Sequence, residues 1–327
     1  MADPFTDIGP AIVAAAAAPD LRGGRPMTRA GIRPAGRATL APMEHGGPSR
    51  TAWGAAGHRA AHQVLEDGRI FRDPLALRIL GDDADRVVED ARASPRRTLM
   101  RIFIAVRHRV AEDGLARHVA AGTRQVVVLG AGLDTFAYRN PFADSGIRVF
   151  EVDHPATQEW KRDTLARTGI PIPDSVVYAP VDFEADDLAS RMAASGVDLA
   201  APTFFLWLGV VPYLTRAAVD ATLHVVAAVP GAGVAFDYPN PVDQLSDRSR
   251  EAHQARADRM RQLGEPWITY FDTDELADHL TGLGLRVVDD VGANEIGVRW
   301  FGRSPDEAPR GGAHVVAATT RPDPASA

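Results

Sequence analysis

Apolar and polar positions fall into blocks along the chain, and the blocks predict a strand-then-helix rhythm. Val126-Val127-Val128-Leu129 is an unbroken apolar run, the pattern of a strand buried on both faces. It leads into a turn bearing Gly130 and Gly132, so a buried strand ends at a loop whose backbone can approach a ligand. A strand predicted over 147–152 precedes a helix over 155–168, one over 175–180 a helix over 185–194, and one over 202–207 a helix over 216–228. A further strand over 232–237 ends at Asp237. Such alternation implies a parallel sheet with helices on both faces. Strands over 285–288 and 313–318 have no helix predicted between them, so the last is expected to return antiparallel.

Ahead of the first strand the period is helical. A helix is predicted over 51–65 with Thr51 as its cap, and a short one from Asp73-Pro74 to near Gly81. A longer one over 95–121 carries Leu99, Ile102, Phe103, Val106, Val110, Leu115 and Val119 at helical spacing. These three helices are expected to cover the glycine turn. From Tyr238 to Tyr270 the rhythm breaks into a Pro-Asn-Pro turn, a charged helix over 244–263 and Gly264-Glu265-Pro266-Trp267. A long insertion between a strand and the next core helix tends to form a lid or binding loop. Asp272 is placed to cap the next helix, to Leu280. Residues 1–48, rich in Ala, Gly, Pro and Arg, show neither period and are expected to be a flexible extension. The remainder reads as one domain over 49–320: a helical cap (49–122), a core (123–237), the insertion (238–271) and the rest of the core (272–320). A tail follows over 321–327.

Composition narrows the chemistry. A net charge of −7 argues against nucleic acid as an obligate partner, since phosphate-tracking surfaces carry a basic excess. Without cysteine there is no disulfide, thiolate metal site or cysteine nucleophile, which fits a cytoplasmic setting. Lys161 is the only lysine, so Schiff-base and P-loop chemistry have almost no candidate. No run approaches the ~20 apolar residues of a membrane span, and Ile12 to Ala18 is too short and lacks the basic flank of a secretory signal. His58 and His62 lie four apart but find no third ligand in the pattern, so no metal is expected. No Gly-x-Ser-x-Gly elbow occurs.

The candidate site residues cluster at predicted strand ends. Asp153 closes the second strand about twenty residues after Gly132, where an acid can accept from ribose hydroxyls; its plain alternative is to cap the helix from Pro155. Asp182-Phe183 follows the third strand, where an acid can accept from an adenine amino group while the ring packs beside it. Asp182 equally suits a helix N-terminal turn, and for Glu184, Asp186 and Asp187 that is the better reading. Arg107 can clamp a ligand carboxylate, although on pattern alone it reads as a surface arginine. Trp207 and Tyr213 flank the fourth strand's end and can line a pocket, with core packing preferred for Trp207. A dinucleotide fingerprint wants a third glycine, and Thr135 stands there, which weakens an NAD(P) reading.

These motifs together resemble the leucine carboxyl methyltransferase family of class I S-adenosylmethionine-dependent methyltransferases. The family includes phosphatase methyltransferases of eukaryotes and many bacterial O-methyltransferases of secondary metabolism. The similarity runs in family order through Thr51-Ala52, Arg72-Asp73-Pro74-Leu75-Ala76, Leu129-Gly130-Ala131-Gly132-Leu133-Asp134-Thr135 with Tyr138-Arg139, and Phe150-Glu151-Val152-Asp153-His154-Pro155 with Lys161. It continues in Val181-Asp182-Phe183, Trp207-Leu208-Gly209-Val210, Tyr213-Leu214-Thr215 and Gly264-Glu265-Pro266. It implies a Rossmann-like sheet of about seven strands with the last antiparallel, a helical layer and a lid.

By the same resemblance Arg107 holds the cofactor carboxylate, and Gly130, with Ala131 and Gly132, approaches its methionine portion. Asp153 binds ribose, and Asp182 with Phe183 holds adenine. Leu208 stands in the cofactor-contacting position where phosphatase-type members carry an acid, so this chain looks more like the bacterial branch and their substrate is not carried over. The expected activity is O-methylation of a small molecule, with a carboxylate as the sharper expectation. A carboxylate, of pKa about 4, needs no base, whereas a phenol, of pKa about 10, does. Tyr213, His154 and His253 are the candidates near the acceptor. An NAD(P)-dependent oxidoreductase and a non-catalytic cofactor-binding protein are the other readings.

Overall fold

The computed structural model describes residues 49–245, 247–305 and 311–322, so the expectation for the 1–48 extension and most of that for the tail lie outside the described residues. Seven strands form one sheet in the order β3-β2-β1-β4-β5-β7-β6. They are β1 Gln125–Leu129, β2 Arg148–Asp153, β3 Val176–Pro180, β4 Thr203–Trp207, β5 Gly233–Pro239, β6 Arg286–Val291 and β7 Ala313–Thr319. The first five pair parallel, while β7 lies between β5 and β6 and runs antiparallel to both. β1, β4 and β5 are buried at every position, which is why each reads as an apolar run.

Period-two alternation sends the strands' side chains to two cores. On one face Val127, Leu129, Phe150, Phe205, Trp207 and Phe236 pack with Met192, Val219, Leu223 and Leu280 from the helices 188–194, 216–228 and 273–282. On the other, Val126, Val128, Val149, Phe204 and Leu206 meet Ala111, Leu115 and Val119 of the long helix Thr98–Ala120. Chain order reverses between β1 and β4, the switch point at whose carboxyl ends the ligand crevice of an open α/β sheet lies.

Several local expectations change. The first helix spans Arg50–Leu65 and its cap is Ser49, whose hydroxyl accepts from Ala52 N, rather than Thr51. No helix starts at Asp73-Pro74: Asp73 Oδ1 accepts from Leu75 N as a cap would, but the chain forms only turns over 74–77 while Arg59 and Thr135 hold Oδ2. A 3-10 segment over 78–83, kinked at Gly81, leads instead into an unpredicted helix, Ala84–Arg92. Leu99, expected in the core, is 48% exposed. A helix, Ala293–Phe301, does separate β6 from β7; Gly292 and Gly297 hide it from propensity, and it forms because Ile296, Trp300 and Phe301 pack on the cluster holding Ile102 and Val106. The last strand is antiparallel even so, since that helix returns the chain along β6. The helix in the insertion spans Asp247–Gln262.

His118, on the long helix, gives a pH-dependent stability. It lies edge-on to Phe204 at 5.0 Å, its Nδ1 has no hydrogen-bond partner among the described residues, and burial with Arg321 and Arg117 lowers its pKa to about 4. An unfolded histidine takes its proton near the ordinary value of about 6.5. Between that value and about 4 the unfolded state therefore binds the extra proton, and stability falls as pH falls through this window. The urea midpoint is expected to drop from pH 7 to pH 5 less steeply in His118→Gln than in the wild type. Equal slopes would exclude His118 as the source.

Candidate functional site

The crevice floor is the turn after β1. Gly130 (φ 66°) and Gly132 (φ 40°) hold left-handed backbone. A Cβ on Gly130 would lie 2.3 Å from Val210 Cγ2, and one on Gly132 would lie 3.1 Å from Ala52 Cβ of the first helix. Glycine is thus required by conformation and by space. Gly130 N and Ala131 N both donate to Val152 O, at 2.8 and 3.1 Å, so the turn crosses onto the end of β2.

There Asp153 closes the loop. Its Oδ2 accepts from Gly132 N at 2.6 Å and its Oδ1 from His154 N at 2.7 Å. Burial raises its pKa above the usual carboxylate value, opposed by these two backbone donors and by Lys161. Asp153 does not cap the next helix: His154 does, its Nδ1 accepting from Ala156 N at 3.3 Å, which occupies one ring nitrogen of that base candidate. Val181 N donates to Asp153 O, which sets Asp182 beside the same strand tip. Asp182 Oδ1 accepts from Glu184 N, and half-buried Phe183 packs on the core. The helix expected from 185 begins at Leu188, capped by Asp187 through Ser190 N.

Across the crevice stands Arg107, buried on the long helix. Its Nη1 donates to Asp237 Oδ2 at 3.0 Å, and Asp237 Oδ1 accepts from Gly209 N at 2.5 Å. The guanidinium lies on Gly209 (φ 76°), where a Cβ would come within 2.9 Å of both Nη atoms. Arg107 Nε has no partner among the described residues. Asp237 was not singled out from sequence as a site residue; its cue is an acid closing the apolar Val234-Ala235-Phe236 run. Leu208 is half-buried against the cluster of Val126, Val128 and Leu206, and Trp207 lies in the core as expected.

Buried ion pairs brace the turn from behind. Lys161 Nζ donates to Glu151 Oε1 at 2.7 Å and to Ala131 O at 3.3 Å, and Tyr138 donates to the other Glu151 oxygen at 2.8 Å. Asp73 Oδ2 accepts from Arg59 at 3.0 Å and from Thr135 Oγ1 at 2.6 Å, while Arg59 Nη2 donates to Leu133 O at 2.6 Å. The Arg-Asp-Pro motif therefore ties the helical layer to the turn.

The insertion closes over the loop after β4. Ile268 N donates to Pro212 O at 2.8 Å, Tyr213 Oη meets Met260 Sδ at 3.7 Å, and Glu265 accepts from Thr51 N at 3.1 Å at the start of the first helix. Burial pushes the Tyr213 phenol up to about 12. His253, 6% exposed, sits 5.4 Å from the Trp267 ring and 5.6 Å from that of Tyr270. Burial, then Arg256, lowers its pKa, and its Nε2 has no partner among the described residues. Among the described residues no three His, Asp or Glu side chains gather as a metal site, and no helix is long and apolar enough to cross a membrane.

A parallel Rossmann-like sheet with an antiparallel strand inserted at one end, and a glycine turn at its switch point, defines the class I methyltransferase fold. Residues 52–227 match the leucine carboxyl methyltransferase family, and the chain belongs to that family. It is 31% identical over 200 residues to the Bacillus subtilis "Putative S-adenosyl-L-methionine-dependent methyltransferase YktD", covering 60% of this chain and 64% of that protein. A Mycobacterium marinum protein named "Putative S-adenosyl-L-methionine-dependent methyltransferase" is 34% identical over 215 residues, 63% of this chain and 68% of that one. The chain thus spans less than two thirds of YktD's length. The crystal structure of "a putative methyltransferase from Thermobifida fusca YX" shares the fold, with a TM-score of 0.51 at 18% identity over 85% of this chain and 97% of that one.

Proposed function

We propose that the protein is an S-adenosylmethionine-dependent O-methyltransferase that converts a small carboxylic acid into its methyl ester. The observation that carries this reading is the glycine turn tied to Asp153 on one side of the crevice, with buried Arg107 on the other. The residues fit the cofactor: Arg107 keeps an unpartnered Nε for its carboxylate, and the turn Gly130-Ala131-Gly132, with both glycines in left-handed conformation, is the backbone its methionine portion would approach. Asp153, with one hydrogen bond on each oxygen, retains lone pairs for ribose hydroxyls, and Asp182 and Phe183 adjoin it for adenine. Leu208 is the apolar neighbour of the Gly209 turn. When bound, S-adenosylmethionine supplies an electrophilic methyl carbon on a cationic sulfonium.

The chain's own task is to align the acceptor oxygen and exclude water. We read the insertion, 238–271, as a lid for that purpose, supported by the hydrogen bond from Thr51 N at the start of the first helix to Glu265. Tyr213, its phenol held neutral, donates or orients and does not act as a base at pH 7. An ionised carboxylate needs none. One observation favours a hydroxyl acceptor as the second reading: His253 is kept neutral beneath the insertion with a free Nε2, as a general base requires. A cytoplasmic, secondary-metabolic setting belongs to the same proposal.

Calorimetric titration with S-adenosylmethionine is expected to show one site. Asp153→Ala is expected to weaken that binding by about 1–3 kcal/mol, through lost hydrogen bonds to the ribose and a loosened Gly132. An unchanged dissociation constant would remove Asp153 from the site, and binding of NAD in place of S-adenosylmethionine would restore the oxidoreductase reading.

A further inference from the structure

We infer that Arg256, on the insertion helix, grips the carboxylate of the acceptor and makes the enzyme select an apolar monoanionic acid over its neutral analogue. This rests on the methyl-transfer reading above and adds the residue that chooses the acceptor.

Helical spacing places His253, Arg256 and Met260 on one face of the helix Asp247–Gln262. Two contacts turn that face inward: His253 packs between Trp267 and Tyr270, and Met260 touches Tyr213 Oη. The opposite face is occupied by Gln254, Asp258 and Arg261, which bond among themselves. Arg256 is therefore directed beneath the insertion and is half-buried there.

The charges in this space do not balance. His58, on the first helix, is depressed to about 3 by burial and then by Arg101, Arg97, Arg107 and Arg256, so it is neutral and four guanidinium groups lie within electrostatic reach of it. Arg101 is neutralised by Glu66 through bonds of 2.5 to 3.0 Å, and Arg107 by Asp237 at 3.0 Å. Arg97 is exposed to solvent. Arg256 has no acid partner among the described residues, and burial alone lowers its pKa. A desolvated cation without an anion is costly, so a ligand's negative charge is the missing partner.

One unbalanced guanidinium matches one carboxylate, which it can hold by two parallel hydrogen bonds. The neighbouring Tyr213, Met260 and Trp267 suit an apolar body attached to that carboxylate. His253, with Nε2 buried and unpartnered, adds a second polar contact on the same helix face. Arg107 remains for the cofactor, so the two carboxylates have separate holders.

The test uses the full chain saturated with S-adenosylhomocysteine and two probes of equal shape, phenylacetate and phenylacetamide, read by melting temperature. Phenylacetate is expected to raise the wild-type melting temperature more than the amide does. Arg256→Gln is expected to erase that difference and Arg256→Lys to keep part of it, while S-adenosylhomocysteine affinity stays within about twofold in both variants. Equal shifts from acid and amide in the wild type, including none, would overturn the assignment, as would a difference that survives Arg256→Gln. Loss of about tenfold in S-adenosylhomocysteine affinity in Arg256→Gln would give Arg256 to the cofactor instead. Failure of the wild type to bind S-adenosylhomocysteine at all would sink the methyltransferase reading itself, and this assignment with it.

Discussion

Arg107→Ala is expected to weaken S-adenosylmethionine binding by about 2–5 kcal/mol, more than about 30-fold in dissociation constant. Two losses combine. The cofactor carboxylate loses its cation, and Asp237 is left 5% exposed with Gly209 N as its remaining partner. The second loss also acts without cofactor, so calorimetry must be set beside urea unfolding of the free protein. Arg107→Lys keeps the charge but not the planar fork, and is expected to recover stability more than affinity. An Arg107→Ala protein that loses stability yet binds S-adenosylmethionine as the wild type does would reduce Arg107 to a brace for the Gly209 turn.

Asp73→Ala is expected to cost about 3–5 kcal/mol of stability, the range for breaking a buried ion pair by removing one partner. Asp73 is 1% exposed and joins Arg59, Thr135 and Arg139. Arg139 retains Glu112, whereas Arg59 keeps only the Leu133 carbonyl as a hydrogen-bond acceptor among the described residues and the more distant charge of Asp134, so most of the lost compensation falls on Arg59. The exposed pair of Arg109 and Asp113 is the control: Asp113→Ala is expected to change stability by less than about 1 kcal/mol. Urea midpoints that shift equally in the two variants would show that Asp73 carries no such load. Because Arg59 and Thr135 attach the first helix to the glycine turn, Asp73→Ala should also loosen the crevice wall.

The strands were legible because each physical demand on them is local. β1 and β4 are buried on both faces, so every position must be apolar, and the run is visible without knowing its neighbours. The helices 84–92 and 293–301 were not legible, since the first follows a kink at Gly81 and the second is held by packing on Ile102 and Val106 from far along the chain. Arg107 illustrates the intermediate case. Its helix is buried around most of its circumference, so periodicity could not say which face it occupies, and only the family resemblance drew it to the site. Asp237 lay in plain view at the end of a strand, but its meaning depends on an arginine 130 residues earlier.

By itself the sequence determined the alternation of strands and helices, the glycine turn and the acid at the tip of β2. These follow from burial and backbone conformation, which act over a few neighbouring residues. The tertiary structure alone decided which charges are answered. Arg101 has Glu66, Arg107 has Asp237, and among the described residues no acid answers Arg256. Whether a buried charge is balanced depends on groups brought together from distant parts of the chain, and no local pattern encodes that sum.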